Sequence, residues 1–214
     1  VTPRKENINI SVRTDGAGDT GLVDLGFHAT NGWSAAALSN RVLYVDIAGG
    51  NDATGNGWSP ATAFKTITKA LTRAVYGSTI NIAAGQYSTN NGETLPLIPK
   101  QLNLTLTGAD LNSVFINGSS TTQLVRVQGW GKLRFENISF TNGFTISSAI
   151  KGPGLYLIGC LTTITNCAIV SNIIYAGGGS YGGGIYASQG ALTLDGCTLA
   201  ANGMASVGSG DQKF

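Results

Sequence analysis

Glu136 and Asp195, with Arg134 close by, are the residues whose types and placement could serve bond cleavage. Each acid ends an alternating apolar and polar stretch, Leu133-Arg134-Phe135-Glu136 and Leu192-Thr193-Leu194-Asp195, and stands between the apolar positions. On strands two rungs apart in a stack, the two carboxyl groups would lie roughly 9 to 10 Å from each other. That separation suits the acid and base of an inverting glycoside hydrolase on distance alone. Each acid is single, however, and Thr165 or Asn166 between them adds no third charged ligand. A solvated face explains the same residues, so no catalytic set is assigned beyond these three candidates.

Two further groups carry chemistry by type. Arg126, Tyr156 and Tyr186 recur thirty residues apart, which puts them in one outward column. A cation on stacked rings either stiffens a sheet or offers a platform to a sugar. Asp46 and Asp52, with Asn51 and Asn56, crowd oxygen atoms into one loop that calcium could use. Turn chemistry accounts for those residues without a metal, so no cofactor is expected, with calcium the ion to test. His28 is the sole histidine, and no nucleophile, base and orienting group can be assembled around it.

The elements that position these residues follow from one period. Val125-Arg126-Val127 superimposes on Leu155-Tyr156-Leu157 and on Ile185-Tyr186-Ala187 when the chain is slid by thirty residues, and Asn142 falls on Asn172 and Asn202. A fixed period of this length signals a stacked solenoid, and alternation within each unit makes the repeating element a strand. The sequence therefore predicts an all-β fold, a right-handed parallel β-helix in which Val125, Val127, Leu155, Leu157 and Ile185 point inward. Leu133 and Leu192 are 59 apart rather than 60, so one rung carries a bulge. Asn142, Asn172 and Asn202 form an amide ladder at one corner. Cys167 and Cys197, also thirty apart, stack on adjacent rungs as free buried thiols, at a spacing that would also allow a disulfide. Trp33, Trp58 and Trp130 are expected to pack against the ends of the stack.

Outside the period, Ile67, Ala70, Leu71, Ala74 and Val75 lie at helical spacing within a helix expected over about 63–76. Lying across the first rung, it would cover apolar interior and unpaired edges, an N-terminal cap. Residues 1–40 form an N-terminal strand extension and linker, and 41–214 the capped β-helix.

Composition limits the partners. Lys and Arg number 13 and Asp and Glu 11, a charged share of 11%, about half the usual fraction. With a net charge of +2 and no basic run, nucleic acid is excluded as a partner. Residues 1–16 lack the apolar core of a signal peptide, and no stretch reaches the roughly twenty apolar residues of a spanning helix. The expectation is a molecule outside the membrane, with polysaccharide as a second partner class.

The stretch from Leu43 to Tyr87 resembles the opening segment of bacterial right-handed β-helix proteins of the pectate-lyase-like superfamily. Its residues Tyr44, Val45, Gly50, Asn51, Asp52, Phe64, Lys65, Thr66, Ile67, Gly85 and Tyr87 carry the likeness. The later Gly-Gly-Gly-Ile-Tyr and rung-end asparagines are similar to the repeats of polymorphic outer membrane proteins. This resemblance implies an extracellular or cell-surface location, and the superfamily includes lyases and hydrolases of polysaccharides. Asp19 to His28 resembles the closing segment of such β-helices, yet stands before the fold it should close. Hence the functional expectation is a structural subunit, not an enzyme, that polymerises head to tail. Ile8, Ile10, Val12, Leu22, Val23, Leu25 and Phe27 would complete the open C-terminal end of a neighbour. The rival expectations are a glycan-binding or glycan-cleaving β-helix and one module of a larger adhesin.

Overall fold

A computed structural model describes residues 41–100, 103–146, 151–175 and 182–205. The expected extension, with Ile8, Ile10, Val12, Leu22, Val23, Leu25 and Phe27, lies outside the described residues, as do His28 and Trp33.

Among the described residues fifteen strands stack in parallel into a β-solenoid, with one short α-helix packed against its first rung. The first sheet contains β1 (Val42–Val45), β2 (Thr79–Ile82), β4 (Leu104–Gly108), β6 (Val125–Glu136), β9 (Leu155–Thr165) and β12 (Ile185–Ser188), in that order, with β13 (Ala191–Asp195) also on β9. The second sheet runs from β3 (Gly85–Tyr87) through β5 (Val114–Asn117), β7 (Ser139–Thr141) and β10 (Ala168–Val170) to β14 (Thr198–Ala200). The third holds β8 (Phe144–Thr145), β11 (Ile173–Tyr175) and β15 (Gly203–Ala205).

Period-two alternation sends Leu104, Leu106, Val125, Val127, Leu133, Phe135, Leu155, Leu157 and Ile164 into the interior, each at most 2% exposed. Ile185, in the last rung, is only half-buried. Phe135 and Phe140 meet edge to face at 5.2 Å between centroids, an aromatic contact between two sheets across one rung.

The corners are set by backbone conformation. Asn137, Asn166 and Gly196 turn the chain at positive φ between the first and second sheets, and Asn142, Ser171 and Ala201 do so five residues later. Asparagine and glycine tolerate that left-handed region best.

The thirty-residue register holds along the first strand of each rung, Val125 to Leu155 to Ile185. It then slips by one at the bulge between Gln128 and Gly131, after which Leu133 pairs with Thr162 and that with Leu192. The expected bulge is thus in β6. The slip also corrects the asparagine column. Asn142 lies beside Ser171, because Thr141 pairs with Val170, and it is Gly143 that aligns with Asn172 and Asn202.

Helix α1 (Ile67–Arg73) is shorter than the spacing predicts. Thr66 caps it by accepting from Lys69 N–H at 3.1 Å, and Ala74 leaves the helix at ψ 141°. Ala63 and Phe64 are buried without being helical. The helix still buries Ile67, Ala70 and Leu71, packed onto β1 and β2. Asp52 holds it from one side, accepting from Lys65 N–H at 2.8 Å and from the Thr66 hydroxyl at 2.7 Å. Glu93 holds it from another, accepting from Ile67 N–H at 2.7 Å and Thr68 N–H at 3.1 Å.

Candidate functional site

Four places could act chemically, and geometry separates them. In the first sheet's outward column, Tyr44, Asn81, Thr107, Glu136, Thr165 and Asp195 follow one another from rung to rung. Glu136 and Asp195 are therefore two rungs apart on one face, with Thr165 between them. Arg134, two residues before Glu136 on β6, forms an ion pair with it. The carboxylate is thereby engaged by its own strand neighbour, in a partly exposed surface pair of the kind that contributes little.

Arg126, Tyr156 and Tyr186 stand in register on β6, β9 and β12, directed outward and half-buried. The guanidinium lies 5.5 Å from the Tyr156 ring centroid, and Tyr156 stacks on Tyr186 at 5.6 Å with 14° between planes. Lys151 Nζ sits 4.8 Å from the Tyr186 centroid. Since Arg126 and Tyr186 belong to rungs on opposite sides of Tyr156, both faces of that ring are occupied and its edge is turned outward. Such a stack resists rung separation and leaves Tyr156 no free face for sugar stacking.

In the loop after β1, backbone amides take up the oxygens. Asp46 Oδ1 accepts from Ala48 N–H at 2.9 Å, Asn51 Oδ1 from Ala53 N–H at 2.8 Å, and Asn56 Oδ1 from Trp58 N–H at 3.0 Å. Asp52 is turned to the helix, as described above. Among the described residues no three His, Cys, Asp or Glu side chains cluster as a metal would require.

The fourth place is the last described rung, which individual motifs do not reveal. Leu194, Leu199 and Met204 occupy the positions of Ile164, Ile169 and Ile174 one rung earlier. Those isoleucines are 0% exposed, whereas Leu194, Leu199 and Met204 are 40%, 50% and 57% exposed. The same inward residue types are thus exposed in the last described rung, over which no other described rung lies. Covering them is worth about 1 kcal/mol each, half of what full burial of such a side chain gives. Among the described residues the amide ladder runs as far as Asn202. Asn172 Oδ1 accepts from Gly143 N–H at 2.8 Å, and Asn202 Oδ1 from Asn172 N–H at 3.1 Å, so each asparagine caps the corner of the rung before it. The signal in the sequence was the repeat itself, which shows what the next rung would have to match.

Trp58 and Trp130, expected to pack against the ends of the stack, are instead 69% and 82% exposed. Trp130 is carried out on the β6 bulge between Gly129 and Gly131, whose φ values are 148° and 150°. The cysteines are free thiols. Burial pushes the Cys167 thiol up to about 11, so it stays protonated and unreactive at neutral pH.

Fold and site together define a parallel β-solenoid whose last described rung exposes apolar residues at inward positions. Residues 47–178, more than half of the chain, match the family model described as Protein of unknown function (DUF1565), and the chain belongs to that family. No curated protein and no solved structure matches it.

Proposed function

We propose that this protein is a structural β-solenoid of the cell surface or extracellular space. In this reading it polymerises head to tail, and residues 1 to about 30 of one copy add to the C-terminal rung of the next. The observation that carries it is the pairing of 0% exposed Ile164, Ile169 and Ile174 with exposed Leu194, Leu199 and Met204 one rung on. An open parallel edge with apolar side chains beside it is a template for strand addition. The alternating apolar residues Ile8, Ile10 and Val12, and then Val23, Leu25 and Phe27, are strand material of the kind it would take. The contact is heterologous, so it propagates into a filament rather than closing on itself. A surface low in charge and rich in Thr, Ser, Asn and Gly supports the location.

Deletion of residues 1–30 tests the proposal by electron microscopy. Regular fibres from the full chain and none from the deletion are expected, and normal fibres from the deletion overturn it.

A further inference from the structure

We infer that the cavity beside Arg126 is a binding site for a small organic carboxylate with an apolar body. It lies at the corner where the turn between β5 and β6 meets the first residues of β6 and the end of β8, and its volume is about 550 Å³. That is the size of an ordinary small-molecule pocket. Pro96, Phe144 and Ile146 supply apolar wall, and Ser120 and Thr122 supply hydroxyls. Among the described residues that line it, Arg126 alone is charged.

The cation departs from the repeat, since the next two rungs carry Tyr156 and Tyr186 in the same column. It is also held less well than its burial demands. The Nε nitrogen is buried without a hydrogen-bond partner, and among the described residues no carboxylate pairs with the guanidinium. The contact it does make is with the Tyr156 ring, 5.5 Å away. A half-buried cation with an unmet donor is a cost that a bound anion offsets. A carboxylate meets the planar guanidinium with two oxygens, the geometry that fork accepts best.

Backbone strain marks the same place. Ser119 and Ser120, at φ 51° and 55°, are successive non-glycine residues in the left-handed region, a conformation kept only where the surroundings enforce it. Ser119 N–H donates to Asn117 Oδ1 at 2.8 Å and Ser120 N–H to the Asn142 carbonyl at 2.9 Å, which fixes Ser120 in the cavity wall. The apolar wall chooses among carboxylates. A sugar acid would set hydroxyls against Phe144 and Ile146 without partners, whereas an aromatic or aliphatic body would cover Ile146, which is exposed.

Isothermal titration of the full chain with benzoate tests the inference. Benzamide has the same shape without the charge, and galacturonate and inorganic phosphate are anions without the apolar body. Benzoate should bind one to one and more tightly than the other three. Arg126→Gln should weaken it about ten- to a hundredfold, the effect of losing a charge-assisted hydrogen bond. Because that variant also removes a stacking partner of Tyr156, Ile146→Glu serves as a second. Its added carboxylate should repel benzoate while the urea midpoint holds, since the position is exposed. No saturable binding of benzoate, equal binding of benzamide, or tighter binding of galacturonate or phosphate overturns the inference, as does an unchanged affinity in either folded variant.

Discussion

At Asn172 a single side chain joins three rungs. It is 0% exposed, accepts from Gly143 N–H at 2.8 Å, and donates to Phe140 carbonyl at 3.1 Å and to Asn202 Oδ1 at 2.9 Å. Asn172→Ala leaves buried backbone groups unpaired and should cost about 2–4 kcal/mol, read as a lower urea midpoint at unchanged slope. Asn142→Ala, at the left-handed corner, should cost about 1 kcal/mol from backbone strain. The sequence placed these two asparagines in one column because the 59-residue spacing of Leu133 and Leu192 announces a slip without saying which of two rungs carries it, and the structure puts it in β6 between Gln128 and Gly131. Glu136→Gln and Asp195→Asn should leave stability and assembly nearly unchanged, checked by the same denaturation and by fibre counts, since Asp195 is exposed and the Glu136 pair with Arg134 is a partly exposed surface one.

The helix and the loops that grip it carry the pH response. Glu93 is 3% exposed, and burial raises its carboxyl above the ordinary range against the opposing hydrogen bonds from Thr68, Ile67 and Thr94. A native value above the unfolded one means the folded state binds the proton more tightly. This contribution is therefore full below the unfolded value and is lost as pH rises through the native one. Urea midpoints measured upward from about pH 4 should fall through that window. In Glu93→Gln this part of the slope should vanish, although absolute stability drops because an amide nitrogen cannot accept from Ile67 or Thr68. Ile67→Ala should cost about 2–4 kcal/mol, with faster amide exchange in β1 and β2, the strands under the helix. The helix itself was legible from Ile67, Ala70 and Leu71. Its length was not, because Thr66 and Ala74 fix the ends through hydrogen bonds, and Glu93 reaches it from 26 residues away.

For the whole molecule, period and alternation were enough to give the stack, because each rung repeats the same inward and outward choices. An open C-terminal end was an expectation of the sequence, but the exposure of particular residues was not, since Leu194, Leu199 and Met204 look as interior as Ile164, Ile169 and Ile174 until the described rungs are counted in space. The central proposal is that this last described rung is an assembly joint. Sedimentation velocity of the full chain over rising concentration tests it most directly. The account predicts a mass distribution that broadens and shifts to ever larger species, with no preferred small oligomer. A single monomeric boundary that persists at high concentration would contradict it.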